Sequence, residues 1–250
     1  MKRILITLVC ALVVLVASRN SFAFDPTQGL SFAGDEEKGQ IEEGITPIPD
    51  PLQRYNRAFY KFNDKLYFWV LKPVARGYGM VLPTRARLSV QNFFENVYAP
   101  VRMVNSGLQC EFKEASIELS RFGINTTLGV VGLFDPAKNW FHLNPQDKED
   151  FGQTLGCYKG PGFYLNLPFA GSTSLRDGIG TLVDMCIVPS FYVLTHAPAG
   201  YYASGAMVLE VINRTSLRIG EYEEFKRAAL DPYLAIRDAY NQHRENLIKK

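Results

Sequence analysis

The sequence predicts a mainly α-helical protein in which residues 50–250 form a single domain. The first observation is a set of Asp-Pro pairs. Such a pair predicts a helix start, because Asp can cap exposed backbone N–H groups and Pro at the first helical position loses no hydrogen bond. Apolar residues that recur every three or four positions are the second. The pairs that predict helix starts are Asp50-Pro51, Asp135-Pro136 and Asp231-Pro232.

The first predicted helix, residues 50–73, carries aromatic side chains all the way round. Such a helix is either enclosed by protein on all sides or partly faces lipid headgroups, where Tyr and Trp keep a polar tip wet and an apolar body dry. We expect the helix to end at Lys72-Pro73. The spacing predicts that one buried face is formed by Tyr55, Phe59, Phe62, Leu66 and Trp69.

Two further helices are predicted over residues 85–99 and 113–128. Pro100 interrupts the first of them or restarts it, and an apolar stripe then continues to Leu108. The stretch 128–134, LGVVGLF, is apolar throughout but too short to span a membrane. Its glycines allow close backbone approach or a tight hairpin. A buried strand and a hydrophobic loop that dips into lipid both remain open.

Residues 139–174 are predicted to be mainly loop, with a short strand over 163–167, and loops this long are usually functional. Ser172 or Thr173 is expected to cap a helix over 174–187. Gly178 and Gly180 lie inside that helix, where each costs about 1 kcal/mol relative to Ala. A crossing helix or a lipid passage would explain them. An aromatic run and a helical tail from residue 203 complete the chain; the run comprises Phe191, Tyr192, Tyr201 and Tyr202.

Residues 1–23 are predicted to be a cleaved signal peptide. Lys2 and Arg3 precede an uncharged apolar run of about 14 residues, followed by small residues where a signal peptidase reads the chain. Lipoprotein processing at Cys10 is disfavoured, because Cys10 lies inside the apolar run and follows Val9, where a small residue is expected. Residues 24–49 are rich in Gly, Asp and Glu and are predicted to be a flexible lead-in.

Cleavage after Ala23 leaves 24 basic and 25 acidic residues of the 27 and 25 in the whole chain. A basic excess is therefore missing, which argues against a nucleic-acid partner. The mature chain keeps three cysteines, and two alternatives remain open for them: one disulfide plus one thiol, or three buried and reduced side chains. These cysteines are Cys110, Cys157 and Cys186.

Catalytic and metal-binding patterns are missing from the sequence. His142, His196 and His243 are too far apart to place two ligands on one helix face. Residues 171–174 are not the Gly-x-Ser-x-Gly turn that exposes a hydrolase serine. We therefore expect no cofactor, no metal and no enzymatic activity. The composition instead suits an exported protein that handles an amphiphile, with apolar walls for acyl chains and a polar rim for headgroups.

A series of short motifs in a fixed order resembles the MlaA (VacJ) family of Gram-negative outer-membrane proteins. The resemblance extends from Asp50 to about Tyr240. The motifs include Asp50-Pro51-Leu52, Asn56-Arg57, Tyr60-x-Phe62-Asn63, Asn92-Phe93-x-x-Asn96, Arg121-Phe122-x-x-Asn125-Thr126, Gly129-x-x-Gly132, Asp135-Pro136-Ala137, EDFGQTLG at 149–156, Arg176-Asp177 and Asp231-Pro232-Tyr233.

The resemblance implies a ring-shaped helical protein in the inner leaflet of the outer membrane, often against a trimeric porin. It also implies an amphipathic channel that passes mislocalised phospholipid from the outer leaflet to a soluble periplasmic carrier. Phe62 and Asn63 would fall in the region that influences channel opening, and we assign Asn56, Phe59, Gly178 and Gly180 to the same channel. The hydrophobic hairpin would comprise Leu128, Val130, Val131, Leu133 and Phe134.

Two other functions remain as alternatives. A non-transporting scaffold would use its aromatic helices only to bind a porin or another partner. A periplasmic lipid hydrolase would need a nucleophile, and Ser172 is the residue on which that alternative would be tested.

Overall fold

The computed structural model describes residues 48–145, 147–160, 162–188 and 199–249. The predicted signal peptide, Cys10 and most of the 24–49 segment lie outside these ranges. Phe191 and Tyr192 lie outside them as well, and no side chain is described for Tyr201 or Tyr202.

The described chain is mainly α-helical, as the sequence predicts. Helices predicted over 85–99, 100–108 and 113–128 are confirmed to within a few residues. The helices are α1 Gln53–Leu66, α2 Lys72–Val81, α3 Thr84–Val97, α4 Ala99–Leu108, α5 Phe112–Thr127, α6 Pro136–Asn139, α7 Phe151–Cys157, α8 Leu175–Met185, α9 Ala199–Leu217, α10 Glu221–Ala228 and α11 Pro232–Ile248.

Pro73 does not end the first helix, contrary to the prediction. A π-helical turn over Tyr67–Leu71 joins α1 to α2, and the backbone N–H of Lys72 donates to the carbonyl of Tyr67, five residues earlier. Pro lacks an N–H and its ring collides with a carbonyl four residues earlier in a regular α-helix. The wider π turn leaves room for the ring, so the chain stays helical up to Val81.

The polarity of α1 is the reverse of the predicted one. Tyr55 and Trp69, placed on the predicted buried face, are 66% and 75% exposed, whereas Asn56 and Asn63 are 2% and 3% exposed. The whole molecule repeats this reversal. Among the side chains described, 21 buried residues are polar or charged and only 15 are hydrophobic, while large apolar side chains lie on the outside. The apolar periodicity therefore marks an outward face and not a core.

Two of the three Asp-Pro pairs start helices as predicted. Asp135 caps α6 through the N–H of Lys138, and Asp231 caps α11 through the N–H groups of Tyr233 and Leu234. The Asp50 prediction is wrong, because α1 begins at Gln53 with no side-chain cap. The Asp50 carboxylate instead accepts hydrogen bonds from the side chains of Asn56 and Tyr233.

A two-stranded antiparallel hairpin packs against α1. Strands β1, Tyr164–Leu167, and β2, Gly171–Ser174, pair so that Tyr164 faces Ser174 and Leu167 faces Gly171. The predicted strand is confirmed, but α7 and β2 were expected to be loop. The cap of α8 is Ser174, whose side chain accepts from the N–H of Asp177. Ser172 and Thr173 do not cap it, because they lie within β2.

Within the described residues, no helix combines the length and the apolar character needed to cross a membrane. Aromatic packing is concentrated where α1 leads into α2. There Tyr67, Tyr222 and Ile236 form a small buried cluster, and Tyr60, Phe68 and Phe225 pack around it.

Candidate functional site

A cavity of about 100 Å³ lies between several of the helices. Helices α3, α4, α8, α9 and α11 surround it together with β2 and the loop before α7, which gives the ring-like arrangement implied by the resemblance. Most of the lining side chains are acidic or basic: Glu95, Arg102, Lys148, Glu149, Asp150, Asp177, Asp184, Glu210, Arg214 and Arg244. Burial and the neighbouring Arg244 lower the pKa of His243, which also lines the cavity.

Ion pairs on one side of the cavity connect α3, α4 and the loop before α7. Glu95 contacts Nζ of Lys148 at 2.6 Å and Nη1 of Arg102 at 3.5 Å. Arg102 also donates to the buried Glu118, with Nη2 and Oε2 2.9 Å apart. Burial alone would raise the pKa of Glu95, but Lys148 and Arg102 outweigh it and lower the pKa to about 2. Glu95 is therefore ionised at neutral pH.

Arg244 of α11 organises the opposite side. Its Nη1 lies 2.7 Å from Oδ2 of Asp150, and its Nη2 lies 2.7 Å from Oδ1 of Asp177. Burial opposes ionisation of Asp150, yet Arg244 lowers its pKa to about 2. A Cβ at Gly152 would come within 2.4 Å of Asp177 Oδ1 and 2.9 Å of Arg244 Nη2. The 149–156 motif thus supplies the Asp150 carboxylate to this cluster, and its Gly152 leaves room for Asp177 and Arg244.

Glu210 of α9 completes the wall. Its carboxylate accepts from Arg214 Nη2 at 2.9 Å and from the Tyr98 hydroxyl at 2.9 Å. The pKa of Glu210 is raised, because the desolvation caused by burial outweighs these two partners. Glu210 is thus the lining carboxylate, among those with a resolved pKa shift, that protonates most readily.

Asn56 and Asn63, assigned to the channel from the sequence, lie behind the cavity wall. Asn56 accepts from the N–H of Asn166 at 2.8 Å and donates to the carbonyl of Tyr164 at 3.1 Å. Asn63 accepts from the N–H of Phe169 at 2.8 Å and donates to the Leu167 carbonyl at 2.8 Å. Both amides hold the β1–β2 hairpin against α1, and their assigned role in gating stays a prediction.

The other face of that hairpin reaches the cavity. Ser172 and Thr173 of β2 line it, and the Ser172 hydroxyl also hydrogen-bonds the Tyr164 hydroxyl at 2.8 Å. The hairpin is therefore a thin wall between α1 and the cavity, so a shift of α1 would be transmitted to the lining.

Phe59 and Phe62 lie on the outward side of α1, 37% and 42% exposed. The Phe62 ring contacts Phe169 edge-on at the hairpin turn, with ring centroids 5.1 Å apart. Phe62 thus strengthens the attachment of the hairpin from outside, while Asn63 does so from inside.

The two glycines of α8 have different surroundings, and neither is among the cavity-lining residues. A Cβ at Gly180 would come within 2.3 Å of the Gly152 backbone N, whereas a Cβ at Gly178 would meet nothing within 4 Å. A crossing helix, α7, therefore explains Gly180. The assignment of both residues to the channel stays a prediction.

Residues 128–134 form a tight turn and not a strand, with their apolar side chains pointing outward. Val130 and Val131 adopt left-handed φ angles of 54° and 58°. The turn is closed by a hydrogen bond from the N–H of Gly132 to the Asn125 carbonyl at 2.8 Å. The outward side chains, each more than one third exposed, are Leu128, Val130, Val131, Leu133 and Phe134. The buried-strand alternative is excluded.

A polar network supports this turn from below. Asp135 accepts from Arg121 Nη2 at 3.0 Å and from Asn125 Nδ2 at 2.9 Å. Burial would raise the pKa of Asp135, but hydrogen bonds from Arg121 and Asn125 lower it. The rigid support holds the exposed apolar residues in one position.

The three cysteines are free and exposed, so the alternative of three buried cysteines is wrong. Cys157 donates its thiol to the side-chain oxygen of Gln109, with the two atoms 3.2 Å apart.

No sequence pattern identified the acidic and basic residues of the cavity as a site. One signal was present in α1, where Asn56 and Asn63 are separated by two helical turns on the side away from the exposed aromatics. Polar residues at helical spacing indicate an inward polar face when the apolar stripe faces outward.

The sequence model of the MlaA lipoprotein family matches residues 48–247. The chain is 32% identical over 223 residues to the intermembrane phospholipid transport system lipoprotein MlaA of Escherichia coli K12, covering 87% of this chain and 82% of that protein. It is 30% identical to the protein of the same name from Haemophilus influenzae, covering 78% and 77% of the two chains. Protein RC0123 of Rickettsia conorii is 34% identical, covering 83% and 81%.

A solved structure shares the fold. It comes from work on the structural basis for maintenance of bacterial outer membrane lipid asymmetry, and it superposes with a TM-score of 0.70 at 34% sequence identity. The match covers 80% of this chain and 98% of the other. Since the sequence model, the relatives and the structure agree over the region that builds the cavity, this chain belongs to the MlaA lipoprotein family.

Proposed function

We propose that this protein transports phospholipid from the outer leaflet of the outer membrane, through its central cavity, to a soluble periplasmic carrier. Removal of mislocalised phospholipid in this way would maintain lipid asymmetry. The names of the curated relatives and the subject of the structural match support this proposal. A trimeric porin as partner is taken over from the family resemblance.

The observation that carries the proposal is the reversed polarity of the molecule. Charged and amide side chains face the centre, while exposed Tyr, Trp, Val and Phe side chains face outward. An exposed apolar surface of this extent marks a site of interaction with a membrane or a protein. An outer surface that prefers lipid and a cavity lined by acidic and basic side chains suit the transfer of a polar headgroup through a leaflet.

The turn over residues 128–134 would add to this anchoring. Burying a half-exposed Val or Leu in lipid stabilises by about 1 kcal/mol, so five such residues supply on the order of 5 kcal/mol. This contribution would act with or without a lipid anchor on the chain. The anchor would keep the protein in one leaflet, in contact with its lipid substrate.

Transport would require the cavity to widen. About 100 Å³ is well below the roughly 300–1,000 Å³ of typical ligand pockets, and it cannot enclose a whole phospholipid. The β1–β2 hairpin forms part of the wall through Ser172 and Thr173, and Asn56, Asn63 and Phe62 of α1 hold the hairpin in place. Movement of α1 would thus open or close the passage without any catalytic residue.

Thr181→Trp tests the passage directly, because Thr181 lines the cavity on α8. The matched control is Leu182→Trp, one residue further on the same helix and 51% exposed. In cells that lack the native gene, we expect Leu182→Trp to restore low outer-leaflet phospholipid and Thr181→Trp to fail at equal protein abundance. Surface-exposed phospholipid is measured by its accessibility to added phospholipase.

The scaffold alternative makes the opposite forecast. If the protein only binds a porin, blocking the cavity has no effect, and both Trp variants restore lipid asymmetry equally. Full restoration by Thr181→Trp in a folded, abundant variant would therefore refute transport through this cavity.

A further inference from the structure

The cavity wall carries more carboxylates than cations. Six carboxylates line the cavity, against four cations. The cations are the guanidinium groups of Arg102, Arg214 and Arg244 and the ammonium of Lys148. Protonation of Glu210, whose pKa is raised, would still leave one carboxylate in excess. An entering anion therefore meets net repulsion, and a cationic group meets net attraction.

Glu95 and Lys148 form the most accessible ion pair of this wall. Their side chains are 30% and 34% exposed, whereas those of the Arg244–Asp177 pair are only 6% and 11% exposed. Accessible charges at a cavity are the ones that an entering ligand contacts first.

Glu95 has a second cationic partner behind it. Glu95 is fixed from behind by Arg102, which is itself bound to the buried Glu118. Lys148 extends a flexible four-carbon side chain from the loop before α7. A ligand could therefore draw the ammonium of Lys148 aside while the carboxylate of Glu95 stays in place.

We propose that Glu95 and Lys148 form a recognition site for a zwitterionic headgroup that carries both a phosphate and an amine. The ligand ammonium pairs with Glu95 and the ligand phosphate pairs with Lys148, so one internal ion pair is exchanged for two pairs with the ligand. This inference rests on the proposed transport function and adds headgroup selectivity to it.

An anionic headgroup such as phosphoglycerol fits this site poorly. Its phosphate can still bind Lys148, but it offers no cation to Glu95. Its negative charge also meets the excess of carboxylates. Discrimination between the two classes therefore depends on the charge of Glu95, and overall headgroup binding depends on Lys148.

The experiment uses the purified mature chain in detergent, mixed with vesicles that contain equimolar phosphatidylethanolamine and phosphatidylglycerol. After re-isolation of the protein, mass spectrometry measures the ratio of the two lipids that it retains. The wild-type protein is expected to retain phosphatidylethanolamine in several-fold excess over the input ratio. Glu95→Gln should lower this ratio roughly tenfold, the effect of one unit charge in a partly screened cavity.

Lys148→Gln should act in the opposite direction. It makes the cavity more negative, so the ratio should rise, while total retained lipid falls because both headgroups lose a phosphate contact. Both variants break the same 2.6 Å ion pair, so a purely structural role would change the ratio alike in both. Glu221→Gln, which breaks the exposed Arg218–Glu221 pair, is the matched control and should leave the ratio unchanged.

The outcomes separate this inference from the transport proposal. Retained lipid at the input ratio in the wild-type protein, or a shift of both variants in one direction, overturns headgroup recognition and leaves transport intact. A wild-type protein that retains no lipid of either class counts against both. If Glu95→Gln does not fold, the predicted rise in the ratio for Lys148→Gln decides the question.

Discussion

Gly180→Ala and Gly178→Ala should change stability in opposite directions, although the two residues are two positions apart on α8. At Gly180 the added methyl group would lie 2.3 Å from the Gly152 N, 2.7 Å from the Gly152 Cα and 2.9 Å from the Phe151 carbonyl carbon. All three are backbone atoms, so no flexible side chain can move away. Helices α7 and α8 would have to separate.

The magnitudes follow from two opposing terms. Overpacking costs about 1–3 kcal/mol, and replacing Gly by Ala in a helix returns about 1 kcal/mol. The difference is a destabilisation of roughly 0–2 kcal/mol, and the three close backbone contacts place Gly180→Ala toward the upper end of that range. Gly178→Ala meets nothing within 4 Å, so it should stabilise by about 1 kcal/mol.

Thermal unfolding of the purified protein in detergent, followed by far-UV circular dichroism, measures both changes. For a chain of this size about 1 kcal/mol shifts Tm by roughly 2–4 °C. We expect Tm to rise for Gly178→Ala and to fall for Gly180→Ala. An unchanged Tm for Gly180→Ala together with altered outer-leaflet phospholipid would refute the helix-crossing explanation and favour a lipid passage at Gly180.

Three other perturbations test separate parts of the molecule. Asn63→Ala removes the partner of three hairpin groups, one buried and two partly buried, so unfolding free energy should fall by about 2–4 kcal/mol and outer-leaflet phospholipid should change. Stability equal to the wild type would contradict the hairpin attachment. Val131→Asp should weaken association of the protein with liposomes in a flotation assay, because it places a charge in the exposed apolar turn. Leu119→Asp, at an equally exposed position on α5, is the control, and an equal loss of binding there would contradict a special role of the turn. Stability should fall as the pH is lowered from about 4.5 to about 2, because the pKa of Glu95 is 4.5 in the unfolded chain and about 2 in the folded protein. The ionised Glu95 contributes its full stabilisation above pH 4.5 and loses it as the pH falls through about 2. Denaturant titrations should show a shallower acid loss for Glu95→Gln, and an identical pH profile would contradict this linkage.

Local signals in the sequence predicted the helices well. Asp135-Pro136 and Asp231-Pro232 act within a few residues, and their caps form as expected. Asp50 failed as a cap because its carboxylate is taken by Asn56, six residues further on, and by Tyr233, which lies far away in the sequence. Pro73 failed as a stop because a π turn, which has no signal in composition, accommodates its ring.

The site was harder to predict, for a physical reason. Apolar periodicity identifies the face of a helix that avoids water, but it does not tell whether protein or lipid covers that face. On α1 the aromatic face was interpreted as buried, and the polar face with Asn56 and Asn63 is the one that packs inward. The cavity charges come from segments far apart in the chain, such as Asp150 and Arg244, and only the fold brings them together.

The backbone at Val130 and Val131 shows what determines the residues in the apolar turn. A left-handed φ costs a β-branched residue roughly 1–2 kcal/mol, and Gly or Asn would adopt the same conformation with less strain. Val130 and Val131 are therefore not the residues that the backbone conformation favours at these two positions. Their outward side chains are what the turn preserves. A redesign that chose the residue preferred by the backbone at each position would therefore gain stability here and remove the apolar surface of the turn first.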